Sequence, residues 1–465
     1  MAQSTASNEP TITAHISQWA SRLRYEDISR DAVDAAKRFL YDSVGCALGG
    51  VQHEDCQQAE RVVLALGGEP SCTLIGSGKK TNVDYSALFN ALAIRAMDFN
   101  DIYWRQDPCH PSDIIPAATS PCELLGKGGK ELIVGIILAY EFEMRLCEAA
   151  FPGVRERGWH HATLTAFASP IVAARMLDLD WRQMQNAIGI AGSHCHTLGA
   201  VTAGKLTNMK NTVDPMATQA GVFAALLARE GYSGPEHVID GKEGMVKVLG
   251  PEWKLNILTD GLGESWRILD CGMKAFPIEA LCHAPLSAVL KICKEHHLAA
   301  DDIQEIELQC IARAADILTD PAKYAPKTRE TADHSLPYCI AAGIIWGKVT
   351  PEEFKESAIR DPRIQQHIHK FKAKANPEFE PLFPAKQPNH VTITTTKGEK
   401  FELRVDYPKG DPRDPMTMEE IETKFHSLAA PIVSEKRRNQ IKDAINHLED
   451  IENTGELMGL MVRDI

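Results

Sequence analysis

The residues able to do chemistry are concentrated in five short stretches. The densest is 96–113, AMDFNDIYWRQDPCHPSD, which carries Asp98, Asn100, Asp101, Arg105, Asp107 and His110. Asn and Asp compete for backbone hydrogen bonds and Pro lacks an amide, so this run reads as a loop between helices, pinned by the apolar mass of Tyr103 and Trp104. A polar, anchored loop of this kind is a natural place for catalysis. The second stretch is Gly158-Trp159-His160-His161, just ahead of an apolar helix, where free amides favour a carboxylate ligand and a His can donate to it. The third is Met209-Lys210-Asn211. The fourth is Met273-Lys274-Ala275-Phe276-Pro277, followed by Cys282-His283; Lys274 sits among apolar residues, so its charge needs a partner if buried. The fifth, TRETADHSLPY at 328–338, crowds Arg329, Glu330, Asp333, His334 and Tyr338 ahead of another apolar helix. Each has an ordinary explanation too: a well-ordered surface loop, a polar His-His helix cap, solvated lysines, a structural acid–base network. His194-Cys195-His196 is no convincing metal pair, because alternate residues on a helix point apart and no third ligand is near.

Composition narrows the classes. The chain has 465 residues, 44% hydrophobic and 24% charged, the make-up of an ordinary globular protein with room for two or three domains. A formal net charge of −13 argues against a nucleic-acid partner, but not against a small anion held by a local positive field. The 12 cysteines are scattered, with no CxxC, which speaks against zinc ribbons and cysteine-ligated clusters and for a reduced, cytoplasmic compartment. The first residues carry no signal- or transit-peptide pattern. The longest apolar run, LIVGIILAY at 132–140, is far short of the ~20 residues a membrane span needs.

The elements that must position these residues follow from periodicity and caps. Residues 1–10 read as a disordered tail. Ser29 caps a helix ended by Gly49-Gly50; a second helix stops at Gly67-Gly68; Thr81-Asn-Val-Asp84 reads as a capping box ahead of a helix at 86–97. Helices are expected at 113–125, 131–150, 162–177, 181–191, 213–229 and 285–297. The 131–150 helix is apolar nearly all round at its start and therefore central. After about residue 270 the pattern changes. Residues 302–312 alternate in part with period two, and 391–396 and 401–405 alternate more clearly around Lys397-Gly398, a hairpin signal. Helices at 332–346 and 351–357 lie between, the latter announced by Thr350-Pro-Glu-Glu353, and a helical segment from Thr417 closes the chain. The fold class is therefore mainly α: an all-α domain over 1–270, completed by 416–465, with an α+β lid domain over 271–415 and a ligand cleft between them.

With these motifs in hand, the sequence resembles the MmgE/PrpD family over nearly its whole length. The resemblance is carried by MDFND…HPSD at 97–113, GWH at 158–160, MKN at 209–211 with GVFAALLAREGYSGP at 221–235, KAFP…CH at 274–283 and RETADHSLPY at 329–338. It implies a metal-free, cofactor-free lyase of the 2-methylcitrate dehydratase or cis-aconitate decarboxylase kind, acting on a tricarboxylate as a homodimer. It carries the site residues onto Asp98, His110, His160, Lys210, Lys274 and Tyr338. One position departs: Ile102 stands where the decarboxylase branch has Thr, which favours dehydration of 2-methylcitrate over decarboxylation of cis-aconitate.

Dehydration of a β-hydroxy tricarboxylate needs a base, a cation beside the carboxylate that receives charge, and a proton for the leaving hydroxyl. Lys210 and Lys274 suit the second task. His110 or His160 suits the first, the choice between them being open. Tyr338 can donate to the leaving oxygen or orient a His, and Asp98 can fix a His tautomer or pair a Lys. A non-catalytic tricarboxylate-binding protein is the alternative from another class.

Overall fold

A computed structural model describes residues 10–203, 206–250 and 252–465. The expected disordered tail, residues 1–10, falls almost wholly outside that range. Helices dominate, and two large hydrophobic cores organise them. The first draws its buried residues from Ile16 to Met273 and takes up Ile421 to Met461. The second runs from Ile278 to Ile393. Among the described residues no helix is long and apolar enough to cross a membrane.

In the first core, Gly129–Ala149 is the axial helix, buried along most of its length including Glu141, Glu143 and Arg145. Ala162–Met176 and Met209–Arg229 pack on each other beside it, and Val83–Arg95 crosses Met209–Arg229. Ser29 caps Arg30–Gly50 as its sequence indicates, by accepting from the Ala32 amide. The next cap differs from expectation: Asn82, not Thr81, caps Val83–Arg95, its side-chain oxygen accepting from the Tyr85 amide at 3.1 Å. The helix read at 113–125 is divided into the 3₁₀ turn Pro111–Ile114 and the helix Pro116–Leu125, with Ile115 between them in helical conformation (φ −49°, ψ −39°). Lys210 lies in the first turn of Met209–Arg229 rather than ahead of it.

The second core is a four-stranded sheet in the order Lys400–Val405, Asn389–Thr395, Ile303–Cys310, Phe371–Ala375, whose last pair is parallel. The expected hairpin forms around Lys397-Gly398, with Gly398 at φ 82°. The partial alternation of 303–310 has a cause. Ile303 and Ile306 are both buried although three apart, and the register slips between Thr394 and Thr395 opposite them, a bulge that returns Ile303 to the inner face. The helices His283–Glu295 and Leu336–Trp346 pack together on this core.

The stretch read as a loop at 96–113 contains a small sheet. Asp101–Trp104 pairs with Pro108–Cys109 on one side and with Gly272–Met273 on the other. Asp101 lies opposite Met273, so the strand that precedes Lys274 is stitched to the segment that follows Asp98. From behind, the buried Lys424 ammonium donates to the carbonyls of Phe99 at 2.6 Å and Lys274 at 3.0 Å and pairs with Asp42 at 2.7 Å.

The approach of Arg30–Gly50 to Val83–Arg95 depends on Gly50, where an added Cβ would lie 2.0 Å from the Ala93 carbonyl oxygen. Gly50→Ala is expected to push these helices apart and destabilise the protein by ~1–3 kcal/mol, read by denaturant unfolding. A change below ~0.5 kcal/mol would show that the crossing is not set by backbone contact.

Candidate functional site

Asp98 is a non-glycine residue with positive φ (50°), placed three residues beyond the end of the Val83–Arg95 helix. Such a conformation is uncommon and Asp tolerates it better than most. It turns the carboxylate inward, among cations from three segments. Lys274 Nζ lies 2.6 Å from Oδ1 and also donates to the Asp98 carbonyl oxygen at 3.2 Å. Lys210 Nζ lies 3.0 Å from Oδ2. Arg95 pairs with Oδ1 and, on its other side, lies 3.4 Å from Asp113. Burial opposes the charge on Asp98, but Arg95, Lys210 and Lys274 outweigh it and hold its carboxyl well below the usual range. Burial also lowers the Lys274 ammonium, against the pull of Asp98.

Asp98, Lys210 and Lys274 line one cavity of 740 Å³ together with His110 and His160. The cavity lies between the two cores: Arg155, Trp159 and Ala200 belong to the first side, Glu279, Arg313, Lys323 and His334 to the second. Both catalytic-type histidines are buried. His110 Nδ1 is 2.6 Å from the Asp101 carbonyl oxygen, which can only accept, so Nδ1 carries the proton and the neutral ring has its lone pair on Nε2. His160 is the reverse. Its Nδ1 accepts from the Ala162 amide at 3.2 Å, so the neutral ring carries its proton on Nε2. Burial, with Arg95 and Lys274 nearby, pushes His110 well below the ordinary histidine range; burial and His161 do the same to His160. The site thus presents a bare nitrogen and an N–H from two uncharged imidazoles.

The supports behind His110 are polar and fully buried. The Asp101 carboxylate accepts from the Ser112 amide at 2.9 Å and hydroxyl at 2.6 Å, while Asn100 donates to Ser112 Oγ at 2.8 Å and to Asp113 at 3.0 Å. Burial pushes Asp101 up to about 6 against those donors. Asp107, from the same hairpin, accepts from the amides of Val154 at 2.6 Å and Arg155 at 3.2 Å, and so anchors the turn that leads through Gly158, at φ 82°, to His160.

The structure therefore brings together five of the six residues picked from the sequence. It does not bring Tyr338. That residue is fully buried in the second core, where its hydroxyl donates to the Glu353 carbonyl oxygen and its ring packs on Phe354. From the same stretch it is His334, hydrogen-bonded to Asp333 at 2.5 Å, that reaches the cavity wall. Arg95, Arg155, His161, Arg313 and Lys323 were not picked as site residues. Arg95 had a signal, a lone cation in an apolar helix three residues before Asp98; Arg313 and Lys323 had none, because an isolated cation in a polar run reads as solvated surface.

Among the described residues, His160, His161 and Asp214 form a buried group whose potential ligand atoms lie within 4.8 Å of one another. The donor set is a poor match for an ion. His160 Nδ1 is occupied by an amide, which puts the ring proton on Nε2, and Asp214 accepts from the Thr165 hydroxyl at 3.2 Å and faces His161 Nε2 at 3.4 Å. His194 Nδ1 instead lies 2.7 Å from the Ile190 carbonyl oxygen.

Comparison with known proteins places the chain among relatives of two kinds. A cis-aconitate decarboxylase-like protein of Aspergillus oryzae is 26% identical over 97% of this chain and 98% of its own length. The human cis-aconitate decarboxylase is 24% identical over 97% of this chain and 94% of its own length. A 2-methylcitrate dehydratase of Escherichia coli O157:H7 is 24% identical over 84% of each. Models of the MmgE/PrpD N-terminal and C-terminal domains match residues 14–258 and 276–450, so that this chain belongs to the MmgE/PrpD family.

Proposed function

We propose that the cavity is the active site of a metal-independent dehydratase that eliminates water from 2-methylcitrate, or a close tricarboxylate, to give 2-methyl-cis-aconitate. The observation that carries this reading is the pairing of a cationic floor with two oppositely protonated neutral histidines. Lys210 and Lys274 share one aspartate, so positive charge is left over for a substrate carboxylate. That charge stabilises the carboxylate as electrons flow into it when the adjacent carbon loses its proton. His110 is the base, through the lone pair on Nε2. His160 offers Nε2–H to the departing hydroxyl. Lys274, its ammonium made more acidic by burial, suits the supply of the proton that oxygen requires. Tyr338 is given no part in the chemistry.

The two cores are proposed as two domains, 1–270 completed by 416–465 and 271–415, the second acting as a lid that closes the cleft and excludes water. The C-terminal family model runs to residue 450 and so takes in helices that pack on the first core. A cytoplasmic enzyme without cofactor is the matching cellular reading.

Decarboxylation of cis-aconitate is the second reading, favoured by the near-complete coverage of relatives that bear that name. Against it, Ile102 gives this cavity wall an alkyl group and no hydroxyl. Citrate, 2-methylcitrate, cis-aconitate and isocitrate, assayed after chelation for both unsaturated acid and carbon dioxide, separate the two. Unsaturated acid from 2-methylcitrate is expected; carbon dioxide from cis-aconitate would transfer the assignment, and thermal stabilisation without turnover would make the protein a binder. His110→Asn is expected to lower kcat by ~10²–10⁴-fold with little change in KM, and a folded variant at full rate would remove His110 as base.

The pH profile is a separate check. His110 is held below the ordinary histidine value, so it stays unprotonated as pH falls through ~6.5, and kcat/KM is expected to hold level there and drop only at lower pH. An acid limb centred at or above that value would mean another group titrates.

A homodimer is proposed from one face of Met209–Arg229. Met209, Met216 and Phe223, seven residues apart, are 42%, 45% and 49% exposed, with Leu198 at 60%. A self-complementary apolar stripe suits a second copy related by a two-fold axis. Sedimentation is expected to give a dimer that Met216→Asp converts to monomer; a monomeric parent protein would end the proposal.

A further inference from the structure

Arg155 is a cation in the cavity wall whose side chain has no ion-pair partner among the described residues. It sits in the turn Val154–Arg157, five residues before His160, with its backbone amide bound by the buried Asp107 carboxylate at 3.2 Å. Its guanidinium, by contrast, makes no hydrogen bond to the protein among the described residues. Among the described residues no carboxylate lies within 4.0 Å of it; Glu279, Asp107 and Glu156 are the surrounding acids. The side chain is half-buried and lines the same cavity as His160 and Lys274. Across the cavity stand two more cations from the second core, Arg313 and Lys323. Arg313 is held by Glu156 at 3.3 Å, itself on the Arg155 turn, and lies over the Trp104 ring at 5.9 Å.

A half-buried guanidinium facing like charge is costly unless an anion joins it. Burial and then Arg313 lower Arg155, against the pull of Glu279, Asp107 and Glu156. The turn is fixed by Asp107, whose own hairpin carries His110, so the distance from Arg155 to the reacting end of the cavity is set by the fold.

We propose that Arg155, with Arg313 and Lys323 opposite, binds a carboxylate of the substrate remote from the reacting carbon, and that this contact makes the cavity select tricarboxylates over dicarboxylates. The inference rests on the tricarboxylate reading of the site and adds the residue that enforces it. The planar fork of Arg155 can donate two N–H groups to a carboxylate at once, with Arg313 and Lys323 adding charge from the other wall. Bound between walls from the two cores, that carboxylate also ties them together.

The test is binding, independent of turnover. Propane-1,2,3-tricarboxylate and 2-methylsuccinate share the same carbon frame and differ by one terminal carboxylate. Calorimetry would compare their dissociation constants for the parent protein, Arg155→Gln and Arg155→Lys. The parent is expected to bind the tricarboxylate ~10–100-fold more tightly than the dicarboxylate. Arg155→Gln should remove most of that preference by weakening the tricarboxylate alone. Arg155→Lys should recover part of it, because it keeps the charge and loses the fork. A parent protein that shows no preference, or binds neither acid, overturns the proposal. So does an Arg155→Gln variant that weakens both acids equally, as a distorted turn would, or neither. If Arg155-dependent selectivity is found while no acid in the substrate panel is turned over, the dehydratase reading falls and the carboxylate subsite stands.

Discussion

A single buried carboxylate holds this site together. Asp98 lies out of water with Arg95, Lys210 and Lys274 around it, contributed by the helix before it, a helix more than a hundred residues on, and the strand that leads toward the second core. Three cations gathered in a low-dielectric pocket would repel one another strongly, and Asp98 at their centre, with Asp113 on the far side of Arg95, is what lets them stay. The two lysines share that one carboxylate as ion-pair partner. It clusters the lysines at the cavity wall, where the proposed anionic ligand would meet them. The positive φ of Asp98 belongs to the same account, since strain at such a residue persists only where the surroundings over-determine it.

The hairpin at 101–109 turns this local feature into a global one. Its edge pairs with Gly272–Met273, so the chain's passage from the first core to the second runs along the strand that presents Lys274. Lys424, from a helix near the C-terminus, binds carbonyls on both sides of that joint. The same hairpin supplies the Asp101 carbonyl that fixes the His110 tautomer and the Asp107 carboxylate that fixes the Arg155 turn. His110, Lys274 and Arg155 are thus referenced to one small sheet rather than to separate loops.

Much of the scaffold was legible because the signals are local. The Ser29, Thr350 and Thr417 caps act within three or four residues, and a cap satisfies its own helix's amides wherever that helix packs. The Lys397-Gly398 hairpin works for the same reason. Where local signals competed, the outcome was set elsewhere. Thr81 and Asn82 can both cap, and Asn82 does so because Thr81 is drawn into a strand pair with Cys72. The stretch at 101–109 has turn-like composition, yet forms strands because Gly272–Met273 offers it an edge 170 residues away.

By itself the sequence determined the mainly helical class, the change of character near residue 270, and the identity of Asp98, His110, His160, Lys210 and Lys274 as residues worth following. The first two readings rest on periodicity and caps, which are properties of short segments; the five residues lie in stretches marked by their chemistry and were singled out by the resemblance to the family. Only the tertiary structure decided that these five share a cavity while Tyr338 spends its hydroxyl on a backbone carbonyl in the second core. It also decided which nitrogen of each histidine is free. A tautomer depends on whether the atom facing the other nitrogen is a carbonyl or an amide, and that neighbour is chosen by how the chain folds back, as with Asp101 for His110 and Ala162 for His160.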